Sequence, residues 1–190
     1  PYRGEFFGVD NINLWVQEKF NRHNVQSKGT LDGISYFDKV IQYRNRTRSN
    51  PIKAYNTETR RLEEVEVFNG EIGFVNPHSF DCKVVYDWRE GKKIPKYAKS
   101  DFRVTNLDAN GFQVVFKRKK HLRVEYKSKQ DVEENLELAY AISVHKAQGS
   151  EFNRVYFVLP KSKKALLTTE LLYTGLTRAT THCTLLIEED

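Results

Sequence analysis

Cysteine is scarce and long apolar runs are missing in this sequence of 190 residues. The two cysteines, Cys82 and Cys183, lie far apart in no paired spacing, which argues against a disulfide framework and a zinc ribbon. A metal site at His182 and Cys183 is disfavoured because adjacent side chains on a strand face opposite ways. No apolar run approaches the roughly 18 residues that cross a bilayer, and the start lacks the apolar stretch of a secretory signal. We therefore expect a cytoplasmic protein with no bound metal and no membrane partner.

The composition is that of a soluble globular chain, with 39% hydrophobic and 29% charged residues. The formal net charge of +6 is compatible with a polyanionic partner, although many proteins this basic bind none. The length is sufficient for one domain, or for a core with a smaller insertion.

The first strongly periodic segment, residues 8–24, predicts an amphipathic helix that Asp10 can cap. Ile12, Trp15, Val16 and Phe20 recur at spacings of three and four, which predicts an apolar stripe facing the core. Residues 37–44 then predict a strand, and the polar, charged residues 45–64 predict a long exposed loop.

The middle of the chain is rich in short β segments separated by turn signals such as Asn69-Gly70. Six strands are predicted, at residues 65–68, 72–75, 83–88, 102–107, 112–116 and 122–126. This pattern predicts a small closed barrel.

Beyond residue 130 the pattern changes to strand, loop, strand, helix and strand. Residues 136–142 and 154–160 predict buried strands, and a helix capped by Thr168 precedes a last strand at 183–189. This order predicts a parallel sheet covered by helices. The fold class is therefore an α/β core, residues 1–64 and 131–190, interrupted by a β-barrel at 65–130.

The loop that follows the first of these strands, residues 143–151, carries many different polar groups. A loop in this place lies at the carboxyl edge of a parallel sheet, where open α/β folds bind ligands. Its side chains offer a hydroxyl that can cap a helix, hydrogen-bond donors to a phosphate, and groups that can bind sugar hydroxyls or water. The candidate binding residues are Ser143, His145, Lys146, Gln148, Gly149 and Glu151, of which Gly149 lets a backbone come close. The alternative is an ordinary cap followed by a solvated turn.

A second candidate is Arg178, near the end of the helix in LLYTGLTRAT. An arginine here is either solvated, bound to the helix C-terminus, or an arginine finger that neutralises charge on a transferred phosphoryl group.

The segments LAYAISVHKAQGSEF and LLYTGLTRA resemble motifs V and VI of superfamily 1 DNA helicases, in the RecD-like branch related to UvrD-type enzymes. DNINLWVQEKFN, DKVIQYRN and VFNGEIGFV resemble the opening of the second motor domain and the entry into its inserted barrel. The resemblance implies an ATP-dependent DNA helicase in which this chain is the second RecA-like lobe with an SH3-like insertion.

The resemblance also implies roles for individual residues. Ser143, His145, Lys146 and Gly149 would bind single-stranded DNA, whereas Gln148, Gly149 and Glu151 would lie near ATP and its Mg²⁺. Arg178 would be the catalytic finger that reaches the γ-phosphate. No G-x-x-x-x-G-K-[ST] loop is present, so the resemblance implies that an N-terminal RecA-like lobe of the parent protein completes the ATP site.

A basic run at residues 117–129 predicts either a solvated hairpin or a further DNA contact, with Lys119 and Lys120 as candidates. Two other functions stay open: a non-catalytic nucleic-acid-binding module, and a subunit of a helicase–nuclease assembly whose cutting activity lies in a partner chain.

Overall fold

The computed structural model describes residues 7–76, 83–87, 92–96, 111–159 and 168–188, and these residues form four helices and eleven strands. The helices are α1 (Val9–Lys28), α2 (Lys129–Asn135), α3 (Val144–Ala147) and α4 (Thr169–Leu176). The strands are β1 (Lys39–Gln42), β2 (Ile52–Asn56), β3 (Arg61–Val65), β4 (Ile72–Asn76), β5 (Lys83–Asp87), β6 (Lys92–Lys96), β7 (Phe112–Phe116), β8 (Leu122–Tyr126), β9 (Leu136–Leu138), β10 (Phe152–Leu159) and β11 (Ala179–Ile187).

Seven strands form one sheet in the order β3-β2-β8-β7-β4-β1-β9, and every neighbouring pair in it is antiparallel. Side chains alternate between the two faces of the sheet along each strand. In β2, for example, Ile52 and Ala54 are buried whereas Lys53 is exposed. Both faces are covered at the central strand β7, where Phe112, Gln113 and Val114 are all buried. The largest fully buried apolar side chains of the core include Phe112, Phe116 and Tyr126.

The other strands form two separate pairs. β10 and β11 run parallel, with Val155 opposite Cys183 and Phe157 opposite Leu185. β5 and β6 form an antiparallel hairpin. Helix α4 lies between β10 and β11 in the sequence, and it contacts both strands.

The prediction of a mixed α/β fold is confirmed, but the described sheet is mainly antiparallel. β1 and β9, expected in a parallel core sheet, pair antiparallel with each other, and β1 also pairs with β4. Among the described residues the seven strands form no closed barrel, since β3 and β9 end the sheet. An apolar run of residues predicts a buried strand, but it does not show whether the neighbouring strands run parallel or antiparallel to it. The sequence therefore does not reveal the antiparallel pairing of β1 with β9. The RecA-like sheet, the SH3-like insertion and the domain bounds remain predictions.

Strand positions in the middle of the chain were predicted more accurately. The strands at 72–75, 83–88, 112–116 and 122–126 correspond to β4, β5, β7 and β8. The strand predicted at 102–107 lies outside the described residues. The run at 65–68 is confirmed only at its first residue, where β3 ends.

The prediction of an exposed loop at residues 45–64 is wrong, because β2 and β3 form a hairpin there. Asn56 shapes its turn: the side-chain Oδ1 accepts hydrogen bonds from the backbone N–H groups of Glu58 and Thr59, at 2.9 and 3.1 Å. Charged residues are frequent in this segment, and Leu62 of β3 is 59% exposed, so hydropathy alone does not show the alternation of a strand here.

Helix α1 is confirmed, but its orientation differs from the prediction. Gly8 occupies the N-cap position without a side-chain cap, so Asp10 lies inside the first turn. The predicted core residues Trp15 and Phe20 are 66% and 77% exposed. The buried positions on this helix are instead Asn13, Gln17 and Asn21. The helix therefore contacts residues 33–38 and 138–141 through these carboxamides.

The stability of the chain should fall as the pH rises above 10. Tyr126 is fully buried, its hydroxyl donates to Gln42 Oε1 at 2.6 Å, and burial raises its pKa above the ordinary value of 10.0. The unfolded chain therefore releases this proton at a lower pH than the folded chain, and stability is lost as the pH rises through that interval. Urea unfolding at several pH values measures the free energy of unfolding, which should fall less above pH 10 in Tyr126→Phe than in the wild type. An equal fall in both proteins would show that Tyr126 is not responsible.

Candidate functional site

The polar loop at residues 143–151 joins β9 to β10 around the single turn of α3. Ser143 Oγ accepts a hydrogen bond from the Lys146 N–H at 3.3 Å and caps that turn. Ala147 is buried and anchors the turn against the body of the protein. Gly149 has a φ of +76°, a conformation that favours glycine, and it redirects the chain toward β10.

Four positions of this loop face solvent. His145, Gln148, Gly149 and Glu151 are all exposed, whereas Ser143 and Lys146 are half-buried. The exposed imidazole, carboxamide and carboxylate are thus available to a ligand, and each matches a residue selected from the sequence.

Lys146 is engaged inside the protein. Its ammonium forms an ion pair with the Glu137 carboxylate and lies 5.6 Å from the centre of the Tyr43 ring. The side chain is only 27% exposed. Lys146 therefore links the loop to β9, and less of its charge faces solvent than the sequence suggested.

Arg178 lies beside the same loop. Its Nη1 donates to the Ser150 carbonyl at 3.3 Å, and its own carbonyl accepts from the Phe152 N–H at 2.9 Å. Its Nε donates to the Thr174 carbonyl at 3.0 Å and its Nη2 to Thr177 Oγ1 at 3.1 Å. The structure thus brings together the two candidate segments, which are 28 residues apart in sequence.

Helix α4 holds Arg178 in this place. Thr168 caps the helix as predicted, with its side chain accepting from the Leu171 N–H at 3.2 Å. Gly175 is buried directly against Phe157 of β10, and a Cβ on it would lie 2.6 Å from Phe157 Cε1. The absence of a side chain at position 175 lets the helix approach the strand closely enough for Arg178 to reach Ser150.

Replacement of Gly175 by alanine should destabilise the chain by about 1–3 kcal/mol, because the added methyl overpacks the contact with Phe157. Urea unfolding measures this cost. Thr169→Ala, at an exposed position of the same helix, is the matched control and should change stability by less than about 0.5 kcal/mol. A Gly175→Ala protein as stable as the control would show that the close contact is not required.

The basic run begins at the turn between β7 and β8 and continues through β8. These two strands pair antiparallel, as the prediction of a hairpin expects. Lys119 is not free there, since its Nζ contacts Glu71 Oε1 and the Glu66 carbonyl, both at 2.6 Å. It also lies 5.5 Å from the centre of the Phe68 ring. Lys120 is exposed. Of the two candidates, Lys120 is the one whose charge faces solvent.

A set of buried polar side chains lies next to residues 138–141, the segment that leads into the loop, and hydropathy patterns do not reveal it. Asn13, Gln17 and Asn21 of α1 contact Asp38 or the backbone of residues 138–141, and Tyr140 also binds Asp38. The signal that could have revealed them is three carboxamides spaced four residues apart, which places them on one helix face.

Among the described residues, no group of three or more His, Cys, Asp or Glu side chains is arranged to hold a metal ion. In the same part of the chain, no helix combines the length and the apolar character that a membrane span requires.

Residues 138–186, which contain both candidate segments, match the family described as the UvrD-like helicase C-terminal domain. The resemblance to RecD-like helicases of superfamily 1 is confirmed. The chain is 51% identical over 179 residues to the ATP-dependent RecD2 DNA helicase of Deinococcus radiodurans, covering 94% of this chain and 18% of that protein. It is 28% identical to the RecBCD enzyme subunit RecD of Buchnera aphidicola, covering 91% of this chain and 21% of that subunit.

An uncharacterized protein of Methanocaldococcus jannaschii is 31% identical over 99% of this chain and 14% of its own length. The chain thus spans between 14% and 21% of the length of these three relatives. The similarity extends across nearly the whole chain, well beyond residues 138–186.

Proposed function

We propose that this chain is the second motor lobe of an ATP-dependent DNA helicase of the RecD-like type. The observation that supports this function best is the contact of Arg178 with Ser150, which joins the candidate finger to the candidate DNA-binding and nucleotide-binding loop. The names of the relatives in Deinococcus radiodurans and Buchnera aphidicola agree with it.

Arg178 has the hydrogen-bonding capacity that a finger needs. A guanidinium carries five N–H donors, and three hydrogen bonds of Arg178 are accounted for, one each from Nε, Nη1 and Nη2. Two N–H groups, one on each terminal nitrogen, are therefore left for phosphate oxygens. The three protein contacts fix the plane of the guanidinium, so little side-chain entropy is lost when it binds a phosphate.

ATP with Mg²⁺ would supply the free energy for movement, held between this lobe and a phosphate-binding lobe of the parent protein. Gln148, Gly149 and Glu151 contribute exposed groups on this side, and Arg178 neutralises charge that develops on the transferred phosphoryl group. The sequence contains no phosphate-binding loop of the G-x-x-x-x-G-K-[ST] type, so the isolated chain should hydrolyse ATP negligibly.

Single-stranded DNA would lie along the loop at 143–151. His145 and Gly149 are exposed and can approach the phosphodiester backbone directly. Ser143 and Lys146 are already engaged with α3 and Glu137, so we assign them smaller contributions. At the β7–β8 turn, Lys120 would contribute more than Lys119 for the same reason.

The proposed architecture follows from the same assignment. The parallel β10–β11 pair with α4 would form part of a RecA-like sheet completed elsewhere, in a motor domain built from residues 1–64 and 131–190. Residues 65–130 would form the SH3-like insertion.

Replacement of His145 by alanine in the parent protein should weaken binding of a single-stranded oligonucleotide about tenfold, because one hydrogen bond to a charged phosphate is lost. DNA-independent ATP hydrolysis should change less than binding. Fluorescence anisotropy measures the affinity, with His182→Ala on an exposed position of β11 as the control. Equal loss of affinity in both variants would contradict this role, and a parent protein without DNA-stimulated ATP hydrolysis would contradict the helicase function itself.

A second candidate, a non-catalytic nucleic-acid-binding module, is favoured by the exposed cations of the basic run at residues 117–129. Lys117, Arg118 and Lys120 are exposed at the β7–β8 turn, and Lys127 and Lys129 are exposed beyond the end of β8. A helicase–nuclease assembly is a related possibility, since the Buchnera aphidicola relative is named as a subunit of the RecBCD enzyme. DNA binding that survives without any ATP hydrolysis by the parent protein would favour the module.

A further inference from the structure

Asn13 of α1 uses its whole carboxamide on the segment that leads into the loop. Its Nδ2 donates to the carbonyls of Leu138 and Ala141, at 3.1 and 3.0 Å, and its Oδ1 accepts from the Ala141 N–H at 2.7 Å. Asn13 is only 4% exposed. Ala141 is therefore bound at both its N–H and its carbonyl, two residues before the cap of α3.

Asp38 provides the second attachment. Its carboxylate is fully buried and accepts hydrogen bonds from Gln17 Nε2 at 2.5 Å and from Asn21 Nδ2 at 2.6 Å. It also accepts from the Ser35 N–H at 2.7 Å and from the Tyr140 hydroxyl at 2.8 Å. Burial and the hydrogen bond to Asp38 raise the pKa of Tyr140 above its ordinary value.

These contacts are specific in direction as well as in distance. An apolar helix face can slide or rotate against a sheet at small cost, whereas a buried carboxamide that loses its partners leaves polar groups unpaired. Asn13 holds residues 138–141, and Gln17 and Asn21 hold Asp38, which directly precedes β1. Helix α1 consequently fixes these two segments relative to each other. We call the set Asn13, Gln17, Asn21, Asp38 and Tyr140 the polar seam.

We propose that the polar seam positions the loop at 143–151, with Asn13 and Tyr140 as its positioning residues. The reason is distance along the chain: Tyr140 and Ala141 lie only three and two residues before Ser143, so a shift of this segment is transmitted to α3 and to His145. Nucleic-acid affinity of the loop would then depend on residues that touch no ligand. That consequence rests on the proposed function, whereas the positioning itself does not.

Hydrogen–deuterium exchange on this chain tests the positioning directly. Asn13→Asp keeps the shape and the acceptor but turns a carboxylate oxygen toward two carbonyls. Exchange of peptides covering 141–151 should accelerate about tenfold or more, because the two hydrogen bonds from Asn13 Nδ2 are lost and the carboxylate repels the carbonyls of Leu138 and Ala141. Gln26→Glu, an exposed carboxamide on the same helix, should leave those rates unchanged. Unchanged exchange at 141–151 in folded Asn13→Asp would overturn the proposal.

Tyr140→Phe supplies a milder second variant should Asn13→Asp fail to fold, because it removes one of four donors to Asp38. In the parent protein it should raise the oligonucleotide concentration for half-maximal stimulation of ATP hydrolysis several-fold, while the rate at saturating oligonucleotide changes by less than threefold. A lower melting temperature with an unchanged half-maximal concentration would show a merely structural role and overturn the proposal. A wild-type protein with no stimulation would refute the helicase function instead, and the exchange experiment would still decide the positioning.

Discussion

Replacement of Arg178 by alanine in the parent protein should lower ATP turnover by about 10³ to 10⁵-fold, the usual effect of removing an arginine finger. The expected size follows from the donors that remain on its terminal nitrogens and from the absence of any arginine in the loop at 143–151 that could replace it. DNA binding should change little, because the exposed groups of the loop are retained. Steady-state hydrolysis with saturating single-stranded DNA measures the effect.

Two further variants separate a finger from a structural arginine. Arg178→Lys keeps a positive charge but cannot hold Ser150 and Thr174 while also donating to a phosphate, so most of the activity should still be lost. Arg154→Ala, at an exposed position of β10, removes an arginine near the site and should retain activity. If Arg178→Ala hydrolyses ATP at a rate close to that of the wild type, Arg178 is not the finger.

Replacement of Asp38 by alanine should destabilise this chain by about 4 kcal/mol or more, since four donors would lose their acceptor and each costs about 1 kcal/mol. Such a loss is comparable to the whole stability of many domains, so the variant should be largely unfolded at 37 °C. Circular dichroism during urea unfolding measures it.

Glu18→Ala is the matched control, because it removes an exposed carboxylate whose ion pair with Arg22 on the same helix is also exposed. That pair should contribute less than about 1 kcal/mol. A stability of Asp38→Ala within about 1 kcal/mol of the wild type would mean that solvent or neighbouring groups replace the carboxylate, and the polar seam would lose its importance.

The parts of the site that could be predicted are those encoded locally. Thr168 precedes an apolar helix and caps it, and Ser143 caps α3 in the same way. β7 and β8 begin and end where their alternation and turn signals do. In each case the hydrogen-bonding partners lie within a few residues, so short segments carry the information.

The orientation of α1 could not be predicted in the same way. Periodicity shows that a helix has two different faces, but it does not show which face the protein covers. Here Trp15 faces outward and Asn13 inward, because Asp38 and the backbone around Ala141 provide buried partners for carboxamides. Those partners lie up to 128 residues away in sequence.

The amino-acid sequence by itself determined the helicase resemblance, the capped turn at Ser143, the helix that precedes Arg178 and most of the β segments, because each depends on neighbouring residues. Only the tertiary structure decided that the main sheet runs antiparallel, that Lys146 and Lys119 are held in ion pairs, and that Arg178 touches Ser150. Strand direction and side-chain pairing depend on contacts between distant segments, and hydropathy along the chain carries no information about which segments will meet.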